Sequence, residues 1–131
     1  MKTILILDDE QAVRDSFTDY FEDRLWQPIQ VESAEEALEL LETESPDAAI
    51  VDVRLPGMDG NDFIRKAYRR SPKTVFVICS GSPEYLVPAD LMKLFCVSNH
   101  LFKKPVTRMA DLEKEVFQMI EYMHEKENKN E

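Results

Sequence analysis

The chain has 131 residues, of which 26 are acidic and 16 basic, so its formal net charge is −10. This length suits one domain, and the hydrophobic fraction of 44% is ordinary for a globular protein. So acidic a chain is unsuited to direct contact with nucleic acid or with an anionic membrane surface, both of which need basic patches. Its apolar runs are too short for a signal peptide or a membrane span, so we expect a cytoplasmic protein.

The first third of the chain alternates between strand and helix patterns. The apolar, β-branched run TILIL predicts a strand over residues 3–7. Residues 10–24 then change to a helical period, which leaves Arg14 outside the apolar face. That face combines Val13, Phe17, Tyr20 and Phe21. A weaker strand follows over 28–31, with Pro28 at its start, where a missing N–H is tolerated.

The middle of the chain repeats this alternation. Ser33 and Glu36 have the spacing of a capping box, so they predict the start of a second helix. The run DAAIV at 47–51 predicts a buried strand. Pro56, Gly57 and Gly60 mark the loop after it, and Asp59 is placed to cap a third helix.

The last part of the chain carries the strongest strand pattern, TVFVIC at 74–79. A helix is expected within 84–95, with Pro88 in its first turn, and a short strand over 100–102. The final helix has Leu112, Val116, Met119, Ile120 and Met123 on one face. We assign residues 1–124 to one domain and 125–131, EKENKNE, to a polar, frayed C-terminal tail.

Five repeats of strand then helix predict parallel strands joined by right-handed crossovers. Strands that are apolar throughout predict a sheet that helices cover on both faces. The expected fold is therefore a doubly wound α/β domain with three layers.

Polar side chains follow four of the five predicted strands. Asp8, Asp9 and Glu10 follow the first and Asp52 the third, while Ser80 and Lys104 follow the fourth and fifth. Ligands of open parallel sheets bind at this carboxyl edge. Converging carboxylates repel each other unless a cation lies between them, and their oxygen ligands suit Mg²⁺. With Lys104 and Ser80 to hold phosphoryl oxygens, Asp52 could act as a nucleophile toward phosphorus.

The segments DDE at 8–10, DVRLPGMDG at 52–60, SG at 80–81 and KP at 104–105 resemble the receiver domains of two-component response regulators. The resemblance implies a flavodoxin-like (βα)5 fold with strand order 2-1-3-4-5. It implies that Asp52 accepts a phosphoryl group from a sensor histidine kinase or a phosphotransfer protein. Mg²⁺ or Mn²⁺ would be held by Asp8, Asp9, Asp52 and the main-chain carbonyl of Arg54.

The same resemblance assigns further roles around the site. Ser80 and Lys104 would bind the phosphoryl group, and Arg54 and Ser82 would set the rate of dephosphorylation. The bond between Lys104 and Pro105 is expected to be cis. Such a domain is a signalling switch, not an enzyme with its own substrate, and catalyses only its own phosphorylation and dephosphorylation.

The switch region departs from the family pattern. Ser80 would be one switch residue, but the position that is usually Tyr or Phe is Leu101 here, and the aromatic Phe102 comes one residue later. Successive strand residues face opposite ways, so Phe102 is not a simple substitute. Val97 and Ser98 also replace the usual small residue pair.

Two other functions remain open at this point. A pseudo-receiver would act as an unphosphorylated interaction module, which the atypical Leu101 favours. A phosphatase of the haloacid dehalogenase type would need a second aspartate as a general acid where this chain has Arg54, which cannot serve. An output partner or a fused output domain is expected but not identified, and a homodimer is left open.

Other residues have simpler interpretations. Asp9 is also placed to cap the first helix, and Glu10 and Lys103 are expected to be solvated. We expect Cys79 and Cys96 to be buried free thiols and Trp26 to pack beneath the loop before the second strand. His100 and His124 are expected to be structural or surface residues, because neither lies among the site groups.

Overall fold

The computed structural model describes residues 1–129. Within them lie five strands: β1 (Thr3–Leu7), β2 (Gln27–Val31), β3 (Ala48–Asp52), β4 (Val75–Ser80) and β5 (Val97–Lys103). The helices of the same range are α1 (Gln11–Asp23), α2 (Ala34–Leu40), α3 (Gly60–Arg70), α4 (Ala89–Met92) and α5 (Met109–Lys129). None of the helices in this part of the chain is long and apolar enough to cross a membrane.

The strands form one sheet in the order β2-β1-β3-β4-β5, and all neighbours are parallel. This confirms the predicted doubly wound α/β fold and its strand order. The register pairs Leu7 with Val51 and Asp52 with Cys79, so β1, β3 and β4 end at nearly the same level. The residues after these strands therefore meet at one edge of the sheet.

Two apolar clusters form the core, one on each face of the sheet. Leu5 and Leu7 of β1 belong to the cluster beneath α2, α3 and α4, whereas Ile4 and Ile6 belong to the cluster beneath α1 and α5. This alternation follows from the two-residue period of a strand. Each fully buried side chain of this size contributes roughly 1.5–3 kcal/mol to folding, so the sheet is a stable platform for its edge.

Two predicted helix caps are present. The Ser33 hydroxyl accepts a hydrogen bond from the Glu36 amide at 3.1 Å, and the Asp59 carboxylate accepts one from the Asp62 amide at 2.9 Å. The expected cap at Asp9 is wrong, because Glu10 occupies the N-cap position of α1. Asp8 is the carboxylate that accepts from the Glu10 amide there, at 2.9 Å.

In the second half of the chain, α4 lies within the predicted range of 84–95 with Pro88 at its N-cap, whereas two other elements differ from the prediction. Helix α4 has only four residues, because the chain soon turns so that the Cys96 carbonyl can accept from the Phe76 amide at 2.6 Å. Strand β5 begins at Val97, ahead of the predicted start at 100, and its pairing with β4 shifts register between Phe76 and Ile78. Helix α5 continues to Lys129, so residues 125–129 of the predicted tail are helical, as their high helix propensity allows.

Candidate functional site

Two buried carboxylates share one lysine at the carboxyl edge of the sheet. Asp8 is 3% exposed and Asp52 is 5% exposed. The Lys104 Nζ atom lies 2.5 Å from Asp8 Oδ2 and 3.2 Å from Asp52 Oδ1. Buried charges are stable only when they are paired or bound to an ion. A single ammonium group facing two carboxylates leaves this pocket with excess negative charge.

The electrostatics of Asp52 reflect that excess. Burial, followed by the charge of Asp8, raises the pKa of Asp52 from 3.8 to about 6, although Lys104 lowers it. Burial alone would lower the pKa of Lys104, but its contacts with Asp8 and Asp52 outweigh this and raise it. The pocket therefore favours a charged lysine and would gain from a further cation near the carboxylates.

Three acidic residues after β1 are grouped closely enough to bind a metal ion. Asp8, Asp9 and Glu10 each offer a carboxylate oxygen, and these oxygens lie within 4.8 Å of one another. The sequence predicts Asp52 in this set and Glu10 in solvent. Glu10 is exposed, as expected, yet its carboxylate is close to those of the two aspartates. Asp52 is connected to the group through Lys104.

An open cleft of about 480 Å³ gives access to Asp52. Arg54, Ser82 and Lys104 line it together with Asp9 and Glu10, and Glu84 is a further acidic residue at its wall. Ser80 lies deeper, at 2% exposed, and its hydroxyl accepts a hydrogen bond from the Ser82 amide at 3.1 Å. The cleft thus brings together most of the residues that the sequence had placed at the strand ends.

The loop from β3 to α3 depends on two glycines for different reasons. Gly57 has a φ of 79°, as a turn glycine should. Gly60 is instead the first residue of α3, and an ideal Cβ there would lie 2.2 Å from the Asp52 carbonyl oxygen. Only glycine permits this approach. The sequence pattern predicts a turn role for both glycines and gives no sign of the close approach at Gly60.

Arg14 is buried, contrary to the prediction from the sequence. It was expected outside the apolar face of α1, but it is 9% exposed. Its guanidinium group donates a hydrogen bond to the Asp8 carbonyl at 2.7 Å, which draws it inward. A helical period alone gives no signal of such a contact.

The atypical switch positions lie on opposite faces of β5, as predicted. Leu101 packs against the cluster beneath α2, α3 and α4, whereas Phe102 packs against the one beneath α1 and α5. The Lys104–Pro105 bond is cis, as expected, and the Lys104 amide bonds to the Ser80 carbonyl at 3.0 Å.

The cysteines, the histidines and Lys103 are buried or exposed as expected. Cys79 and Cys96 are buried free thiols, and burial raises the pKa of Cys79 to about 12, so it stays protonated. Trp26 is buried against the Phe21 ring. Lys103, His100 and His124 are exposed.

The sequence matches the family model of the response regulator receiver domain over residues 4–116. The chain belongs to this family. A solved CheY-like receiver domain protein from Methanospirillum hungatei is 25% identical, with a TM-score of 0.81 over 96% of this chain and 98% of that one. These matches support a receiver domain, not a phosphatase.

Curated relatives extend beyond the matched region. Protein-glutamate methylesterase/protein-glutamine glutaminase 2 of Paramagnetospirillum magneticum is 37% identical over 105 residues, which are 79% of this chain and 30% of that protein. The uncharacterized transcriptional regulatory protein YesN of Bacillus subtilis is 31% identical over 109 residues, 79% of this chain and 28% of that protein. The chain thus spans about a third of the length of these relatives.

Proposed function

We propose that this receiver domain accepts a phosphoryl group on Asp52. The observation that carries the proposal is the position of Asp52, a buried carboxylate at the end of β3 that is reached through the cleft and lies 3.2 Å from Lys104 Nζ. The donor is a sensor histidine kinase or a phosphotransfer protein. An Asp52 oxygen forms the bond to phosphorus as the phosphorus–nitrogen bond of phosphohistidine breaks, and the departing imidazole takes up a proton.

The donor set also fits a divalent cation. Asp8 and Asp9 offer carboxylate oxygens close together, Asp52 is incompletely neutralised by Lys104, and Arg54 lines the same cleft. Oxygen ligands of this kind suit Mg²⁺ or Mn²⁺. When bound, the cation would neutralise charge on the carboxylates and on the incoming phosphoryl oxygens.

Two side chains of the pocket bind the transferred group, and two others control its lifetime. Lys104 supplies a fixed positive charge, and the Ser80 hydroxyl supplies a hydrogen-bond donor once it turns toward a phosphoryl oxygen. Arg54 and Ser82, which line the cleft, control how water reaches the phosphoaspartate and so set its lifetime. The phosphorylated domain then acts by changing its contacts with an output partner or a fused output domain, in the cytoplasm.

The test is phosphorylation by acetyl phosphate with Mg²⁺, followed by acid quenching and mass measurement of the whole protein. We expect the wild-type chain to gain one phosphoryl group and the Asp52→Asn variant to gain none. Asp59→Asn is the matched control, because it neutralises an aspartate of the same loop while it retains a side chain that can cap α3. Equal phosphorylation of Asp52→Asn and wild type would refute the proposal.

A further inference from the structure

Arg14 has a buried guanidinium group whose contacts lead directly to the acidic site. It lies in the first turns of α1 and is 9% exposed. One nitrogen donates to the Asp8 carbonyl at 2.7 Å, and Nε donates to the Gln30 side-chain oxygen at 3.2 Å. Burying a cation is costly unless its hydrogen bonds are satisfied. Arg14 is therefore a residue whose burial needs an explanation.

With the hydrogen bond from Arg14, every polar atom of Asp8 has a partner. The Asp8 amide donates to the Val31 carbonyl at 3.2 Å, and Oδ1 accepts from the Glu10 amide at 2.9 Å. Its Oδ2 pairs with Lys104. The remaining polar atom, the carbonyl oxygen, is the acceptor of the Arg14 bond. That carbonyl belongs to the peptide group joining Asp8 to Asp9, so its orientation affects the directions of both carboxylates.

Gln30 fixes the other side of the guanidinium group. Its side-chain oxygen accepts from Arg14, while its side-chain nitrogen donates to Asp15 at 3.2 Å and to Thr18 at 2.8 Å. Asp15 and Thr18 are both in α1. The arginine is thus held between the end of β1 and the side chain of a β2 residue, and its planar donors match two acceptors at once.

The geometry points to Arg14 as a positioning residue that orients the Asp8–Asp9 peptide so that both carboxylates can bind the divalent cation of the site. This inference rests on the function proposed above. Arg14 acts through Asp8 and does not itself touch the phosphoryl group or the cation.

Arg14 has two effects of opposite sign on cation affinity, so replacing it shows which of the two is larger. Its positive charge lies close to the acidic group and by itself weakens binding of another cation. Its hydrogen bond to the Asp8 carbonyl strengthens binding by fixing the ligands. Loss of the arginine should therefore tighten binding if charge dominates and weaken it if positioning dominates, and we expect positioning to dominate.

The experiment is titration of the whole chain with Mn²⁺, in which electron paramagnetic resonance reports the free ion. Changing a residue that orients a metal ligand typically weakens affinity by about 10–100-fold, and we expect about tenfold or more for Arg14→Met. Arg14→Lys should recover part of the loss, because lysine can donate to the Asp8 carbonyl but cannot also reach Gln30 in the same geometry. The control is Arg69→Met, which removes the same charge from an exposed site in the last turn of α3 and should leave affinity unchanged.

Urea unfolding of each variant separates positioning from general stability, because a merely structural role would lower stability without changing the Mn²⁺ affinity of the folded protein. If Arg14→Met does not fold, Gln30→Ala decides the matter, since it keeps the arginine but removes one of its acceptors and should weaken Mn²⁺ binding severalfold. Unchanged or tighter binding by the folded variants overturns the inference while leaving the proposed function intact. Wild-type protein that neither binds Mn²⁺ nor becomes phosphorylated overturns both.

Discussion

Gly60 packs closely against the backbone of Asp52, and replacing it with alanine should lower the stability of the fold and disturb the site. An ideal Cβ on Gly60 would lie 2.2 Å from the Asp52 carbonyl oxygen and 2.9 Å from Val51 Cγ1. Real Cβ atoms do not approach other atoms within 3.0 Å, so the Asp52 carbonyl or α3 must shift by about 1 Å. The Asp52 oxygen belongs to the backbone, and Val51 Cγ1 is a methyl group of a buried, β-branched side chain, so rotation of a side chain alone cannot relieve both contacts.

The expected cost follows from two opposing terms. Forcing an extra methyl group into a packed site costs about 1–3 kcal/mol, and a contact with backbone belongs at the upper end of that range. Alanine recovers up to about 1 kcal/mol through its higher helix propensity, and less at a helix start. We expect a net loss of about 2 kcal/mol, which for an unfolding entropy of about 2.1 cal/mol/K per residue lowers Tm by roughly 7 °C.

Urea unfolding and the rate of phosphorylation by acetyl phosphate measure the two consequences. Gly81→Ala is the matched control, because it alters a glycine that lines the cleft and whose ideal Cβ has, apart from its chain neighbours, no atom of residues 1–129 within 4 Å. It should change stability by less than about 0.5 kcal/mol or raise it slightly. Gly57→Ala should fall between them, since its φ of 79° costs about 1–2 kcal/mol for alanine. Wild-type stability and wild-type phosphorylation of Gly60→Ala would refute the reasoning.

Three further changes test other parts of the structure. The folded-state pKa of Asp52 is raised from 3.8 to about 6, so the contribution of Asp52 to stability falls as pH rises from 4 to 6. In urea titrations, the stability of Asp52→Asn relative to wild type should therefore increase between pH 4 and pH 7. A difference in unfolding free energy that is constant with pH would contradict this. Glu113 accepts hydrogen bonds from Tyr20 and from Trp26, each at 3.0 Å. Glu113→Ala should therefore lower the free energy of unfolding by about 1–3 kcal/mol, measured by urea unfolding with tryptophan fluorescence. A negligible change would show that these contacts do not stabilise the fold. Arg65 forms exposed ion pairs with two carboxylates, so Arg65→Met should cost less than about 1 kcal/mol by the same method, and a larger loss would mean that the pairs act as a network.

The fold was predictable because each local pattern agreed with the global arrangement. Short runs such as AAIV and VFVIC between helical segments favour strands that are covered on both faces, and parallel strands with helical crossovers leave few topologies. The site was predictable for the same reason, since polar residues at the ends of parallel strands must meet at one edge. Asp52 and Lys104 lie together because topology puts them there.

The features that the sequence did not predict depend on three-dimensional contacts that hydrophobic periodicity does not reveal. Arg14 appears polar in a helical pattern, and only the position of the Asp8 carbonyl beside α1 explains its burial. The role of Gly60 depends on the distance between the start of α3 and the end of β3, which sequence spacing does not give. Helix α4 is short because sheet pairing resumes at Cys96, a long-range contact that competes with local helix propensity.

The start and register of strand β5 could not be predicted from its local sequence pattern. Its pairing with β4 shifts register before Ile78, which pairs with Leu101, and the Ser98 hydroxyl accepts a hydrogen bond from the His100 amide at 3.0 Å in the irregular stretch. An irregularity of this kind can reverse which way later residues face. Leu101 and Phe102 nevertheless alternate as predicted, because both lie after it in regular pairing. On the Leu101 side of the sheet, the loop before α4 contributes Tyr85, whose hydroxyl donates to Asn61 at 2.6 Å. The direction in which Leu101 faces therefore follows from a two-residue period, whereas Tyr85 is brought to the same cluster by the loop that connects β4 to α4.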